Sequence, residues 1–190
     1  GYVLAHLFCD ILVVSATILI VTRIFDLKTY HILQSYCFAL IFKCFLKSYI
    51  GVPLNPWMMQ LGWAIPSGHT VALGVMYGLL LDRKKHTSLY CLILFLLSVS
   101  LVFCGYHNVV DILVALVCVW LLVTLADYLY QYGLFYRISA YLTLSIVIMK
   151  LSYVSNHNTQ RQYFFYMCVL AIIELVLQYS KIYASRKIKL

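Results

Sequence analysis

Two short stretches of this chain hold residues that can do chemistry: Pro66-Ser67-Gly68-His69 and His107-Asn108-Val109-Val110-Asp111. Both stand at the edges of long apolar runs. The spacing His-x-x-x-Asp puts the imidazole of His107 and the carboxylate of Asp111 one helical turn apart on one face. A carboxylate so placed takes the hydrogen bond of one ring nitrogen, fixes the tautomer and leaves the other nitrogen free to act. Ser67 is a natural N-cap for the apolar segment after it, and Gly68 lets the backbone come close to a ligand. A helix start offers free N–H groups and a positive dipole end, which suits an oxyanion such as phosphate. Upstream, Lys43 and Lys47 lie one turn apart near the end of another apolar run and can point the same way.

The elements that must position these groups are membrane helices. Of the 190 residues, 64% are hydrophobic and only 11% are charged. No soluble domain of this size hides so much apolar surface, so the expectation is an all-α, polytopic integral membrane protein. The formal charge of +8 does not point to nucleic acid, because the basic residues fall in short runs between apolar segments, as membrane anchors do. The seven cysteines form no Cys-x-x-Cys pair and read as small buried hydrophobes rather than as a disulfide set. Two histidines and an aspartate without His-x-x-x-His or a cysteine pair do not read as a zinc site. The histidines His6, His31, His86 and His157 lack such company and read as structural.

About seven crossings are expected: Tyr2 to Thr22, Tyr30 to Leu46, Ser67 to Leu81, Ser88 to Phe103, Asn108 to Ala126, Leu134 to Leu151 and Tyr163 to Tyr179. The first run has no basic lead-in and does not read as a cleavable signal. Asp10 within it should face the bundle interior. The third run is short for a full span. Between the second and third, Ser48 to Ile65 is rich in Pro, Gly and Trp and reads as a loop or partly re-entrant lid. With seven crossings, Arg23, Lys28, Arg83, Lys84, Lys85, Arg137, Lys181, Arg186, Lys187 and Lys189 collect on one side. Lys43, Lys47, Lys150 and Arg161 collect on the other. The first side is then cytoplasmic, with the C-terminus, and both histidine motifs lie on the extracytoplasmic face. No repeat or composition shift divides the chain. It reads as one membrane domain, 1–190, with a catalytic core at 30–128.

Lys47-x6-Leu54, then Pro-Ser-Gly-His at 66–69, then Ser100-Leu101-x5-His107-x3-Asp111 resembles the pattern of the type 2 phosphatidic acid phosphatases, membrane relatives of the vanadium haloperoxidases. The likeness covers Lys47 to Asp111, about a third of the chain. It implies an acid-phosphatase-like helical core and hydrolysis of a lipid phosphate monoester or polyprenyl (pyro)phosphate, with no cofactor and no metal. It further implies that His107 is the nucleophile, that Asp111 orients it, and that His69 protonates the leaving oxygen and then activates water. Ser67, Gly68 and neighbouring N–H groups would hold the phosphate oxygens, with Lys47, and Lys43 beside it, supplying charge.

The chain departs from that pattern at Leu54 and Leu101, where the family carries arginine, and at Asn55, where it carries proline. Arginine's fork matches a phosphate dianion, so its loss leaves three alternatives. Lys43, Lys150 or Arg161 takes over. Or the substrate is a singly charged diester, as in the sphingomyelin synthase branch, which Ser67-Gly68-His69-Thr70 and His107-x3-Asp111 also resemble and which implies headgroup phosphotransfer. Or the chain is a catalytically weak membrane scaffold.

Overall fold

The computed structural model describes residues 28–51, 64–81, 83–152 and 157–187. Among them the chain is all-helical, in six elements: α1 (Lys28–Ile50), α2 (Gly68–Leu80), α3 (Arg83–Phe103), α4 (Val109–Tyr130), α5 (Leu134–Leu151) and α6 (His157–Lys187). Each corresponds to one of the apolar runs from the second onward. The first run with Asp10, and residues 52–63 of the lid stretch with Leu54 and Asn55, lie outside the described residues; the start of that stretch, Ser48 to Ile50, is the last turn of α1 rather than loop.

Among the described residues, four helical stretches are long and apolar enough to cross a membrane: Lys85–Phe103, Val109–Tyr130, Leu134–Leu151 and Asn158–Ser180. The chain is therefore membrane-embedded, and the apolar side chains that face away from the protein, such as Phe95, Val117, Trp120 and Ile172, face lipid. The other two described helices, α1 and α2, do not meet that measure. α2 has 13 residues, about 20 Å of helix, against a hydrocarbon core of about 30 Å. α1 has the length, but His31, Gln34, Lys43 and Lys47 dilute its apolarity.

α1 is the hub. It packs against α6, α2, α5 and α4, and every residue from His31 to Ile41 is buried. α4 buries Asp111, Ile112, Ala115, Cys118, Val119, Leu122, Val123, Ala126 and Leu129, one stripe at helical spacing, while Leu113, Val117 and Leu121 face out. α2 fits between α1 and α4, and α3 packs on α2.

Several boundaries differ from the sequence reading. The basic run Arg83 to His86 is the opening of α3, with a break in helical geometry at His86, rather than a separate connector. α6 begins at His157, six residues ahead of the apolar run Tyr163 to Tyr179, and continues past that run to Lys187. Helical backbone satisfies its own polar groups, so nothing stops a helix at the edge of the apolar slab. Arg137, counted above as a cytoplasmic anchor, is buried and ion-paired with Glu174 of α6. Gln34 of α1 donates to the same carboxylate at 3.0 Å, and the Tyr130 ring lies 5.9 Å from the guanidinium. A buried charge needs such partners, and Glu174 supplies them from a helix 37 positions away in sequence. The cysteines also divide: Cys37, Cys44 and Cys118 are buried, but Cys91 and Cys104 are exposed. Cys91 lies on the outer face of α3, where lipid accepts an apolar thiol, and Cys104 lies in the turn that follows that helix.

Candidate active site

Three helix ends converge at one end of the bundle: the C-terminal part of α1 and the starts of α2 and α4. The clearest link is a backbone hydrogen bond. The N–H of Ser67 donates to the carbonyl of Asp111 at 3.3 Å, joining the two sequence motifs directly.

Close approach of α2 to α4 makes that bond reachable. A Cβ on Gly74 would lie 2.6 Å from Cγ2 of Val119, and one on Gly78 would lie 3.0 Å from Cγ2 of Val123. Two glycines four apart thus face two valines four apart, the small-residue packing familiar in membranes. The Tyr90 hydroxyl donates to the Gly74 carbonyl at 3.0 Å and holds α3 against the same seam. Gly74-x-x-x-Gly78 is the sequence signal for this seam, outside the two motifs that carry the chemistry.

Ser67 caps α2. Its Oγ, fully buried, accepts from the Thr70 N–H at 3.4 Å and from the Thr70 hydroxyl at 3.0 Å. Thr70 was not among the expected site residues, yet it holds Ser67 in place. His69 is the second residue of α2 and is half-buried. Gly68 has a purpose visible in its surroundings: a Cβ there would lie 3.2 Å from Cδ and 3.5 Å from Nζ of Lys43. The Lys43 stem therefore runs across the first residue of α2.

His107 is set by a turn whose geometry follows from one glycine. Gly105, at φ +71°, ends α3 as only glycine does without strain. The Gly105 N–H bonds the Val102 carbonyl at 3.0 Å, and the Tyr106 N–H bonds the Leu101 carbonyl at 3.1 Å. The chain is thereby reversed and His107 stands immediately before Asn108, the N-cap of α4. Leu101, where the resemblance expects arginine, is a buried apolar side chain whose carbonyl anchors this turn.

Asp111 then gathers the groups around it. Its Oδ2 lies 3.2 Å from His107 Nδ1 and accepts the Asn108 N–H at 3.0 Å. With the carboxylate as acceptor, Nδ1 carries the proton and Nε2 presents its lone pair. Both side chains are buried. Burial is the largest influence on His107 and pushes its pKa below the ordinary imidazole value. Lys47 pushes the same way, while the hydrogen bond and charge of Asp111 push back. These influences together favour the neutral, nucleophilic form of the ring.

The expected residues Lys43, Lys47, Ser67, Gly68, His69, His107 and Asp111 accordingly belong to one end of the fold. Lys150 and Arg161, the other cations considered as replacements for arginine, are exposed side chains on α5 and α6. His31 sits at the far end of α1, stacked 4.9 Å from Tyr130. Among the described residues no three His, Cys, Asp or Glu side chains converge as metal ligands do. No family model, curated protein or solved structure matches this chain.

Proposed function

We propose that this protein is a membrane-embedded phosphatase of lipid phosphate monoesters or polyprenyl (pyro)phosphates, working through a phosphohistidine at His107. The observation that carries the reading is the double use of Asp111. Its side chain orients His107, and its main chain holds Ser67 at the head of the Ser-Gly-His helix. A nucleophile and an anion-binding helix start are thereby tied to one residue, the arrangement phosphoryl transfer needs.

In this mechanism Nε2 of His107 attacks phosphorus as the bond to the lipid oxygen breaks. His69 gives its proton to that oxygen, and the lipid alcohol leaves. Asp111 stabilises the positive charge that the ring acquires. Water then attacks phosphorus, His69 takes its proton, the N–P bond breaks and inorganic phosphate departs with His107 neutral again. Backbone N–H groups at the head of α2 and the two lysines balance the charge on the phosphoryl oxygens. The catalytic core is 30–128. The distribution of basic residues, even without Arg137, favours an extracytoplasmic site and a cytoplasmic C-terminus.

Trapping tests this directly. Lipid phosphate labelled on phosphorus, mixed with the detergent-solubilised protein and quenched within a turnover, should leave an acid-labile, base-stable label at His107. Phosphate release without any labelled protein rules out the covalent route. Headgroup transfer to an added lipid alcohol, with no release to water, would favour the phosphotransferase reading instead. Inertness on every phospholipid class would leave the scaffold.

A pH profile offers a second check. The nucleophile is lost as pH falls and Nε2 is protonated, so the acid limb of kcat/KM should lie below the ordinary imidazole value of 6.5. In Asp111→Asn an amide oxygen still accepts from Nδ1 but the negative charge that raises the His107 pKa is gone, and the limb should move lower still. The substrate's own ionisation cancels in that comparison. A limb that rises in Asp111→Asn contradicts the assignment of His107 as the group titrating there.

A further inference from the structure

We propose that Lys43 is the specificity-determining cation of this site. Lying across Gly68, it would take, together with Lys47, the second negative charge of a lipid phosphate monoester in place of an arginine fork. This rests on the site being a phosphate site, as argued above, but goes further: it names the charge state selected and the residues that select it.

Three observations carry it. First, Lys43 is placed. The last three heavy atoms of its side chain lie 3.2 to 3.7 Å from where a Gly68 Cβ would be, so the absence of a side chain at 68 is what lets the stem pass. Second, the placement is costly without an anion. An ammonium beside the first residue of a helix faces the positive end of its dipole. Lys47 lies one turn further along α1. Of the acidic residues described, Glu174 is bound to Arg137 and Asp127 is exposed far along α4. That leaves Asp111, whose Oδ2 already serves His107 and Asn108. The Lys43 ammonium and the start of α2 bring positive charge to one place, which an anion balances. Third, nothing else described supplies the missing charge, since Leu101 is buried and apolar and Lys150 and Arg161 are exposed. Lysine delivers point charges where arginine delivers a planar fork, so the site recognises charge more than bidentate geometry.

Binding of a dianion against a monoanion tests this without requiring turnover. The full chain in detergent is titrated with inorganic phosphate, decyl phosphate and dimethyl phosphate at pH 8, reading the shift in Tm. Wild type and Lys43→Arg should bind the first two alike. Lys43→Met, which keeps an apolar stem, should bind both about tenfold or more weakly, with dimethyl phosphate changed by less than about threefold. Gly68→Ala, which crowds the stem, should also weaken phosphate binding and add little in the Lys43→Met background, since both act through one side chain. Tm without ligand separates folding from binding.

The proposal is overturned if wild type binds no phosphate, if Lys43→Met binds it as wild type does, or if that variant loses both charge states equally. Phosphate binding indifferent to Lys43, in a protein that His107→Ala inactivates, removes this proposal and leaves the phosphatase standing. Binding that depends on Lys43, in a protein whose behaviour toward lipid phosphates His107→Ala does not change, does the reverse.

Discussion

Alanine at position 107 is expected to abolish phosphate release from a lipid monoester, by about 10⁴-fold or more, while the protein remains folded. The size follows from what is lost. Without Nε2 there is no covalent intermediate, and a general acid and charge stabilisation alone are left to assist direct attack by water. His107 is a loop residue just ahead of an N-cap, so its removal takes out one side-chain hydrogen bond and the packing of one buried ring but leaves the helix backbone intact. Asp111→Asn is the sharper companion. An amide oxygen can replace Oδ2 toward both His107 Nδ1 and the Asn108 N–H, so geometry survives and charge does not. About 10²-fold to 10⁴-fold loss is then expected, from an imidazolium that no longer has a counter-charge. Initial rates on one lipid phosphate, with circular dichroism as the fold control, decide both. Equal rates in wild type and His107→Ala would remove catalysis from the account.

The second large effect belongs to a residue that touches no substrate. Gly74→Ala places a methyl 2.6 Å from Cγ2 of Val119, and valine is too stiff at χ1 to turn aside. The overpacking costs about 1–3 kcal/mol, and relief comes by moving α2 away from α4. Such a shift works directly against the bond from Ser67 to Asp111 at the head of the same seam. An ångström of misplacement between reacting groups is worth about 10²-fold in rate, so activity should fall by that order even where the protein folds. Val119→Ala in the same chain reopens the space and should restore much of the activity, although alone it is mildly destabilising. Failure of that rescue would show that the seam does not set the site.

Much of this molecule was open to reading in one dimension. The apolar runs located all six described helices, because lipid demands both a minimum length and internal hydrogen bonding. The pairing of His107 with Asp111 was legible from their spacing, but not its manner: His107 stands ahead of the N-cap of α4, and the two meet across the helix start, where Asp111 also accepts the Asn108 N–H, rather than along one helix face. Ser67 as cap was legible because it answers a backbone need within four residues. Helix ends in polar sequence were not, since a helix that already satisfies its backbone has no local signal to stop.

Local chemistry thus fixed the membrane helices, the His–Asp pair and the cap of α2. Tertiary structure alone decided that Lys43 rather than Lys150 or Arg161 lies on the Ser-Gly-His helix, that Arg137 is held by Glu174 and not by water, and that α2 and α4 touch through Gly74 and Gly78. Those are choices among partners tens of residues apart. They depend on how closely two helices can approach and which buried charge finds an opposite one, and neither quantity exists until the helices are packed.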